Sequence, residues 1–117
     1  MKNLKKYCLA LDLISDQKLI DDYIQQHKNV WPEIIASIKE SGIEQMEIYH
    51  IENRLFMIIE VADSFDFEQK DKLDKQNPVV QQWEQLMWKY QLAVPGGRAG
   101  EKWRLMKKIF DLKMADL

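Results

Sequence analysis

The chain has 117 residues, a formal net charge of −2 and a single cysteine, and these values exclude several classes of protein. One domain is expected at this length. Basic residues are scattered, so we expect no nucleic-acid partner, and no apolar run is long enough to cross a membrane. One cysteine and two histidines make neither an internal disulfide nor a good zinc site, so no metal is expected. Because no signal-peptide pattern follows the basic amino end, the predicted compartment is the cytoplasm.

The first third of the sequence predicts a strand and a helix. Residues 5–14, KKYCLALDLI, alternate in the manner of a strand and are rich in apolar side chains. Ser15 or Asp16 can then cap a helix whose apolar residues recur at three- and four-residue spacing. Pro32 disfavours helical backbone at the residue before it, so this helix is predicted to end near Asn29.

The middle of the chain predicts a second helix and a hairpin. Pro32 suits the first turn of the helix PEIIASIKESG, and Gly42 suits the position just after its end. Two alternating apolar runs then flank residues 52–54, Glu-Asn-Arg, which predicts a β-hairpin that turns there.

The last third predicts two more helices and a final strand. Residues 63–75 form a polar helical segment. Asn77 as the N-cap and Pro78 in the first turn predict a helix over NPVVQQWEQLMWKY, whose apolar residues lie three and four apart. A glycine-rich loop over residues 95–101 leads to an imperfectly alternating stretch, residues 101–113, which we interpret as a strand.

The order β-α-α-β-β-α-α-β predicts an α+β domain of the ferredoxin-like, split βαβ type over residues 1–117. An antiparallel sheet of this type carries helices on one face only, so its second face must be covered or used. We therefore expect a ligand cavity between that open face and a partner subunit.

His27 is the main candidate for proton transfer. Imidazole titrates near neutral pH, and Tyr23 lies one helical turn earlier, so the phenol and the imidazole share one helix face. The same pattern fits a packed tyrosine and a half-exposed histidine without a catalytic role, since a single histidine is more often structural.

Four tryptophans, Trp31, Trp83, Trp88 and Trp103, offer flat surfaces for the C–H faces of a sugar. Each is also explained as a large core residue. Trp83 and Trp88 are five residues apart and point to different faces of their helix, so we do not expect both in the core.

Glu60 lies inside the apolar run FMIIEVA, and a carboxylate there needs a partner if it is buried. It would orient a hydroxyl or an imidazole, or lie at a sheet edge. His50 is expected at the surface of the hairpin. The sequence has no nucleophile with an evident base and no dinucleotide fingerprint. These observations favour proton transfer on a small polar molecule in a cofactor-free pocket.

The motif Tyr-x₃-His-x₃-Trp-Pro-Glu, the segment EIYHIENRLFMIIEV and the helix NPVVQQWEQLMWKY together resemble the L-rhamnose mutarotase family over about residues 5–112. The resemblance implies a dimeric, ferredoxin-like α/β barrel. It also implies an enzyme that interconverts the α and β anomers of a 6-deoxy-hexose monosaccharide, L-rhamnose or L-fucose. By position, His27 is then the proton donor, Tyr23 contacts the sugar, and Trp83 matches the first tryptophan of the family's tandem pair.

The chain departs from the family pattern at two of these positions. Glu84 stands where the family has its second tandem tryptophan, and Met46 stands where it has a substrate-contacting tyrosine. The lost ring and phenol indicate a differently shaped sugar site. The chain resembles the branch of the family that is associated with L-fucose. With Trp31 as an apolar wall and Glu60 as a weaker candidate, these residues complete the predicted sugar contacts.

Two other functions remain open from the sequence. A cofactor-free monooxygenase shares the same dimeric barrel but would need a wide apolar pocket. A sugar-binding regulatory module of the same fold would bind without catalysis.

Overall fold

The structure, a computed structural model, describes residues 4–92 and 102–115. Its helices and strands, in chain order, are β1 (Lys5–Leu13), α1 (Gln17–Gln26), α2 (Pro32–Glu40), β2 (Ile43–Ile51), β3 (Arg54–Val61), α3 (Phe67–Gln76), α4 (Pro78–Trp88), β4 (Gln91–Leu92), β5 (Arg104–Leu105) and α5 (Leu112–Ala115). In this described part of the chain, no helix has the length and apolar character needed to span a membrane.

The local signals place the helix boundaries well. Asp16 caps α1, because its carboxylate accepts hydrogen bonds from the backbone N–H groups of the first turn. Asn77 caps α4 in the same way and Pro78 opens that helix, as predicted. Gly42 follows α2 with φ of 101°, a conformation that favours glycine. The first helix ends at Gln26, somewhat before the predicted Asn29.

The sheet is antiparallel and has the strand order β2-β3-β1-β4. The predicted hairpin is confirmed, since β2 and β3 pair along their length. The long final strand predicted over residues 101–113 is wrong. Only Arg104–Leu105 pairs with β1, and Gln91–Leu92 pairs further along the same edge. The glycine-rich loop predicted over residues 95–101 lies outside the described residues.

The imperfect alternation of residues 101–113 explains the short strand. Beyond Leu105, large apolar side chains such as Ile109 and Phe110 are exposed, at 92% and 68%. A strand gains little by extending where one of its faces has nothing to pack against. The Met106 backbone N–H still donates to the Cys8 carbonyl of β1, and residues 107–111 then leave the sheet before α5 begins.

The core lies between the helices and one face of the sheet. Leu11 and Leu13 of β1 and Leu55 of β3 are fully or almost fully buried there, and Ile20 of α1 and Met87 of α4 pack against them. Burying each such side chain stabilises the fold by about 1.5–3 kcal/mol. This packing fixes α1 and α4 over the sheet, and with them the side chains that face the sheet.

The other face of the sheet has exposed apolar side chains. Tyr49 and Ile51 of β2 are 53% and 71% exposed. Asp12 of β1 and Arg54 of β3 form a two-pronged ion pair, with Nε–Oδ1 and Nη2–Oδ2 distances of 2.7 and 3.1 Å. Each chain therefore has one covered sheet face and one open face.

Candidate active site

A cavity of about 360 Å³ lies between the sheet and the helices. Leu9, Met57 and Ile59 line it from the sheet, and Ile34 and Val80 line it from α2 and α4. These sheet residues belong to the covered face, so the expectation of a cavity on the open face is wrong for this cavity. The reason is that α2 and α4 contact each other and enclose space above the sheet. Described residues of a single chain thus line this cavity from both the sheet and the helices.

Tyr23 and His27 lie together at the carboxyl end of α1, and both line the cavity. Their ring centroids are 4.3 Å apart. The Nδ1 atom of His27 lies 2.9 Å from the backbone carbonyl oxygen of Tyr23. Because a carbonyl oxygen only accepts, Nδ1 carries the proton of the neutral ring, and Nε2 keeps its lone pair. The end of the helix therefore fixes the tautomer of its own terminal histidine.

Burial keeps both groups uncharged near neutral pH. It lowers the pKa of His27 below 6.5, and the hydrogen bond to the Tyr23 carbonyl opposes this shift only in part. Burial also raises the pKa of Tyr23 to about 12, and a hydrogen bond from Gln91 opposes that change. The cavity thus offers a neutral imidazole that can take a proton and a neutral phenol that can donate a hydrogen bond.

Two tryptophans extend this aromatic group. Trp83 lines the cavity and meets the His27 ring edge-on, with centroids 5.7 Å apart. Trp31 packs edge-on against Trp83 at 5.1 Å and does not itself line the cavity. Trp83 is therefore placed as a wall, and Trp31 supports it from behind.

The two positions that depart from the family pattern also lie at the cavity. Met46 of β2 and Glu84 of α4 line it. The carboxylate of Glu84 accepts a 3.3 Å hydrogen bond from Gln81, and its backbone carbonyl accepts one of 3.2 Å from the Lys102 ammonium. That ammonium lies 4.8 Å from the centre of the Trp88 ring. A polar rim therefore borders a largely apolar cavity.

Glu60 is not brought to this site. It alternates with Ile59 and Val61, which face the core, so its own side chain lies on the opposite face of the sheet. There it pairs with Lys6, with Nζ and Oε1 3.9 Å apart. His50 is exposed near the hairpin turn, as expected.

Sequence reasoning missed Gln91 and Lys102, which both line the cavity. Gln91 lies in β4, an edge strand that forms through long-range pairing, and Lys102 lies two residues before β5, so no local pattern marks either residue. Within residues 4–92 and 102–115, no cluster of three or more His, Cys, Asp or Glu side chains is suited to a metal ion.

The sequence model of the L-rhamnose mutarotase family matches residues 6–112. The chain belongs to this family. It is 40% identical over 115 residues to an L-fucose mutarotase of Xanthomonas campestris pv. campestris. This alignment covers 97% of this chain and 92% of that protein. It is also 36% identical over 116 residues to a UPF0734 protein of Dictyostelium discoideum, covering 92% and 90% of the two chains.

A solved structure shares the fold. The crystal structure of an L-rhamnose mutarotase from Formosa agariphila superposes with a TM-score of 0.68 at 21% identity, covering 92% of this chain and 98% of that one. The mutarotase family comprises isomerases that interconvert the anomers of a carbohydrate. The family-model match and the relative of 40% identity confirm the family expected from the sequence, and the cavity around His27 is the candidate active site of this chain.

Proposed function

We propose that this cavity binds a 6-deoxy-hexose, L-fucose in preference to L-rhamnose, and that His27 catalyses the interconversion of its α and β anomers. The observation that carries the proposal is the placement of a neutral imidazole and a neutral phenol side by side in a mostly apolar cavity. Its volume of about 360 Å³ suits a small ligand.

The proposed reaction opens and closes the sugar ring. A base takes the proton of the anomeric hydroxyl, an acid protonates the ring oxygen, and the bond between the anomeric carbon and that oxygen breaks. The aldehyde rotates, and the ring closes on its other face with the reverse proton transfers. No oxidant, metal or cofactor is consumed, and the product is an isomer of the substrate.

His27 serves as the acid in one direction and the base in the other. The lone pair of Nε2 is available to take up and return the substrate proton, because Nδ1 donates its hydrogen to the Tyr23 carbonyl. Positioned acid–base help of this kind contributes roughly 10²–10⁴-fold to a rate. Tyr23 holds a hydroxyl or the ring oxygen through its phenol, and Trp83 forms an apolar wall for the sugar ring.

The preference for L-fucose is supported by the relative of 40% identity, which bears that name. Met46 and Glu84 line the cavity in place of the family's tyrosine and second tryptophan. L-Fucose and L-rhamnose differ in the orientation of the hydroxyls at C2 and C4, so a changed set of polar contacts alters the choice between them.

The proposed assembly is a cytoplasmic homodimer in the form of a ferredoxin-like α/β barrel. Its support is the open sheet face, where Tyr49 and Ile51 are mostly exposed. Past the last strand, Ile109, Phe110 and Leu112 are exposed as well, at 92%, 68% and 69%. A second copy that covers these side chains would remove a large apolar surface from water.

The test is saturation-transfer NMR between the anomeric protons, with a titration of each sugar followed by tryptophan fluorescence. Exchange that increases in proportion to enzyme establishes a mutarotase. A fluorescence change without faster exchange would instead identify the sugar-binding module. Membership of the mutarotase family already favours the mutarotase over the monooxygenase alternative.

A further inference from the structure

Gln91 is a buried polar residue at the cavity without an evident structural need for its carboxamide. It is only 6% exposed and lines the cavity from β4, where its backbone pairs with Leu13. Its Nε2 atom donates a long hydrogen bond, 3.5 Å, to the phenol oxygen of Tyr23. Its Oε1 atom is buried and has no hydrogen-bond partner among the described residues. A buried acceptor left unpaired is destabilising, so its presence calls for a reason.

The hydrogen bond with Gln91 also sets the direction of the phenol. Since Nε2 donates to the Tyr23 oxygen, the hydrogen of that phenol is left for another acceptor. The pair therefore presents one free donor, the Tyr23 O–H, and one free acceptor, Oε1 of Gln91. A sugar hydroxyl needs one acceptor for its hydrogen and can accept one donor at its oxygen.

We propose that Gln91 is a substrate-binding residue, which together with Tyr23 recognises one ring hydroxyl of the sugar. Tyr23 donates to the oxygen of that hydroxyl, and the hydroxyl donates to Oε1 of Gln91. The terminal torsion of a glutamine is soft, so its carboxamide turns toward a ligand with little cost. This inference rests on the proposed function, because it takes a sugar as the occupant of the cavity.

The surroundings make this contact selective. Leu9, Met57 and Met87 line the same cavity with apolar groups. A site whose buried polar groups are paired by a substrate hydroxyl rejects an analogue that lacks the hydroxyl, because those groups then stay unpaired. Gln91 is thus expected to determine which ring position must carry a hydroxyl.

The experiment compares L-fucose with its 2-deoxy, 3-deoxy and 4-deoxy derivatives. Dissociation constants come from calorimetric titration, and KM and kcat for anomer exchange come from NMR. Gln91→Met removes both polar atoms at similar side-chain volume. Gln82→Met, at an exposed position of α4, is the matched control.

In the wild-type protein, one derivative is expected to bind roughly tenfold more weakly than L-fucose, or worse. Gln91→Met should weaken the binding of L-fucose by a similar factor and raise KM more than it lowers kcat. The variant should also bind L-fucose and that derivative with equal affinity. The discrimination against the other two derivatives should be unchanged, and Gln82→Met should behave as wild type.

A uniform loss of affinity for all four sugars in Gln91→Met would overturn the proposal, since it would show a purely structural role. If thermal unfolding shows that Gln91→Met does not fold, Tyr23→Phe must lose the preference for the same hydroxyl, and a retained preference overturns the proposal equally. Wild-type protein that neither binds nor interconverts L-fucose or L-rhamnose would remove the proposed function as well. If the wild-type protein interconverts the anomers but Gln91→Met changes the discrimination against none of the deoxy derivatives, only the proposed role of Gln91 is overturned.

Discussion

The Nδ1 atom of His27 donates a 2.9 Å hydrogen bond to the backbone carbonyl of Tyr23, and the rings of the two residues lie 4.3 Å apart. One residue thus supplies both the phenol beside the imidazole and the carbonyl that selects its tautomer. The same carbonyl also accepts a longer, 3.3 Å bond from the backbone N–H of His27, the C-cap residue of α1, so the backbone and the side chain of His27 share one acceptor. The end of the helix and the candidate catalytic group are one feature.

Replacing His27 by Asn is expected to lower the enzymatic rate of anomer exchange by roughly 10²–10⁴-fold. The Asn side chain can still donate to the Tyr23 carbonyl, so the helix end should remain intact while the Nε2 lone pair is lost. Exchange rates by NMR and thermal unfolding by circular dichroism measure the two effects. Replacing the exposed His50 by Asn is the matched control and should leave the rate unchanged. Rapid exchange in a folded His27→Asn protein would remove His27 from the mechanism.

The rate should fall on the acid side with an inflection below pH 6.5. Burial lowers the pKa of His27 from that ordinary value, so the ring stays neutral and able to accept a proton at more acidic pH. The measurement is kcat/KM for anomer exchange between pH 4.5 and 8, after subtraction of the rate without enzyme. An acid-side inflection above pH 6.5 would contradict the role of His27, with its lowered pKa, as the base.

The same shift affects stability in a defined direction. The unfolded chain binds a proton at His27 more readily than the folded protein, so the contribution of this residue is complete above pH 6.5. It decreases as the pH falls from 6.5 through the lowered pKa of the folded state. Denaturant unfolding of wild type and His27→Asn over this range should show a smaller loss of stability in the variant. Equal losses would indicate that other groups cause the acid sensitivity.

Restoring the family's residues at the two divergent positions is expected to move the preference toward L-rhamnose. The double variant Met46→Tyr, Glu84→Trp adds a phenol and a ring and removes a carboxylate from the cavity wall. The ratio of kcat/KM for L-fucose and L-rhamnose should change by roughly tenfold or more. Gln85→Trp, at an exposed position of α4, is the control for an added ring. An unchanged ratio in a folded double variant would show that these positions do not select the sugar.

Placing a charge on the open sheet face should separate the proposed dimer. Ile51 is 71% exposed on β2, and Ile51→Lys would bring a charge into the interface from each copy. Sedimentation should show a dimer for wild type and a monomer for the variant. Leu73→Lys changes a 43% exposed side chain on α3 and should remain dimeric. A monomeric wild-type protein, or an undisturbed Ile51→Lys dimer, contradicts the proposed interface.

Local signals predicted most of the fold. Asn77 and Pro78 mark the start of α4, and Gly42 marks the end of α2, because caps and glycine turns act within a few residues. The pair of Tyr23 and His27 was predictable for the same reason, since helical spacing alone places it. The alternation around Glu60 also held the information that this side chain faces away from the core, because Ile59 and Val61 on either side of it are buried.

Features set by long-range pairing were not predictable in this way. Gln91 reaches the cavity only because its strand pairs with Leu13, far away in sequence. Arg104–Leu105 joins the same edge through pairing with β1, and neither segment is long enough to show a strand pattern. The face on which the cavity forms depends on how α2 and α4 pack above the sheet, which no short motif records.

The most direct test of the central claim is saturation transfer between the α and β anomeric protons of L-fucose and L-rhamnose, measured in parallel with increasing wild-type protein. The account predicts transfer that rises in proportion to enzyme, is stronger for L-fucose, and is lost in His27→Asn. Transfer at the rate of the sugar alone, for both sugars and at every protein concentration, would contradict it.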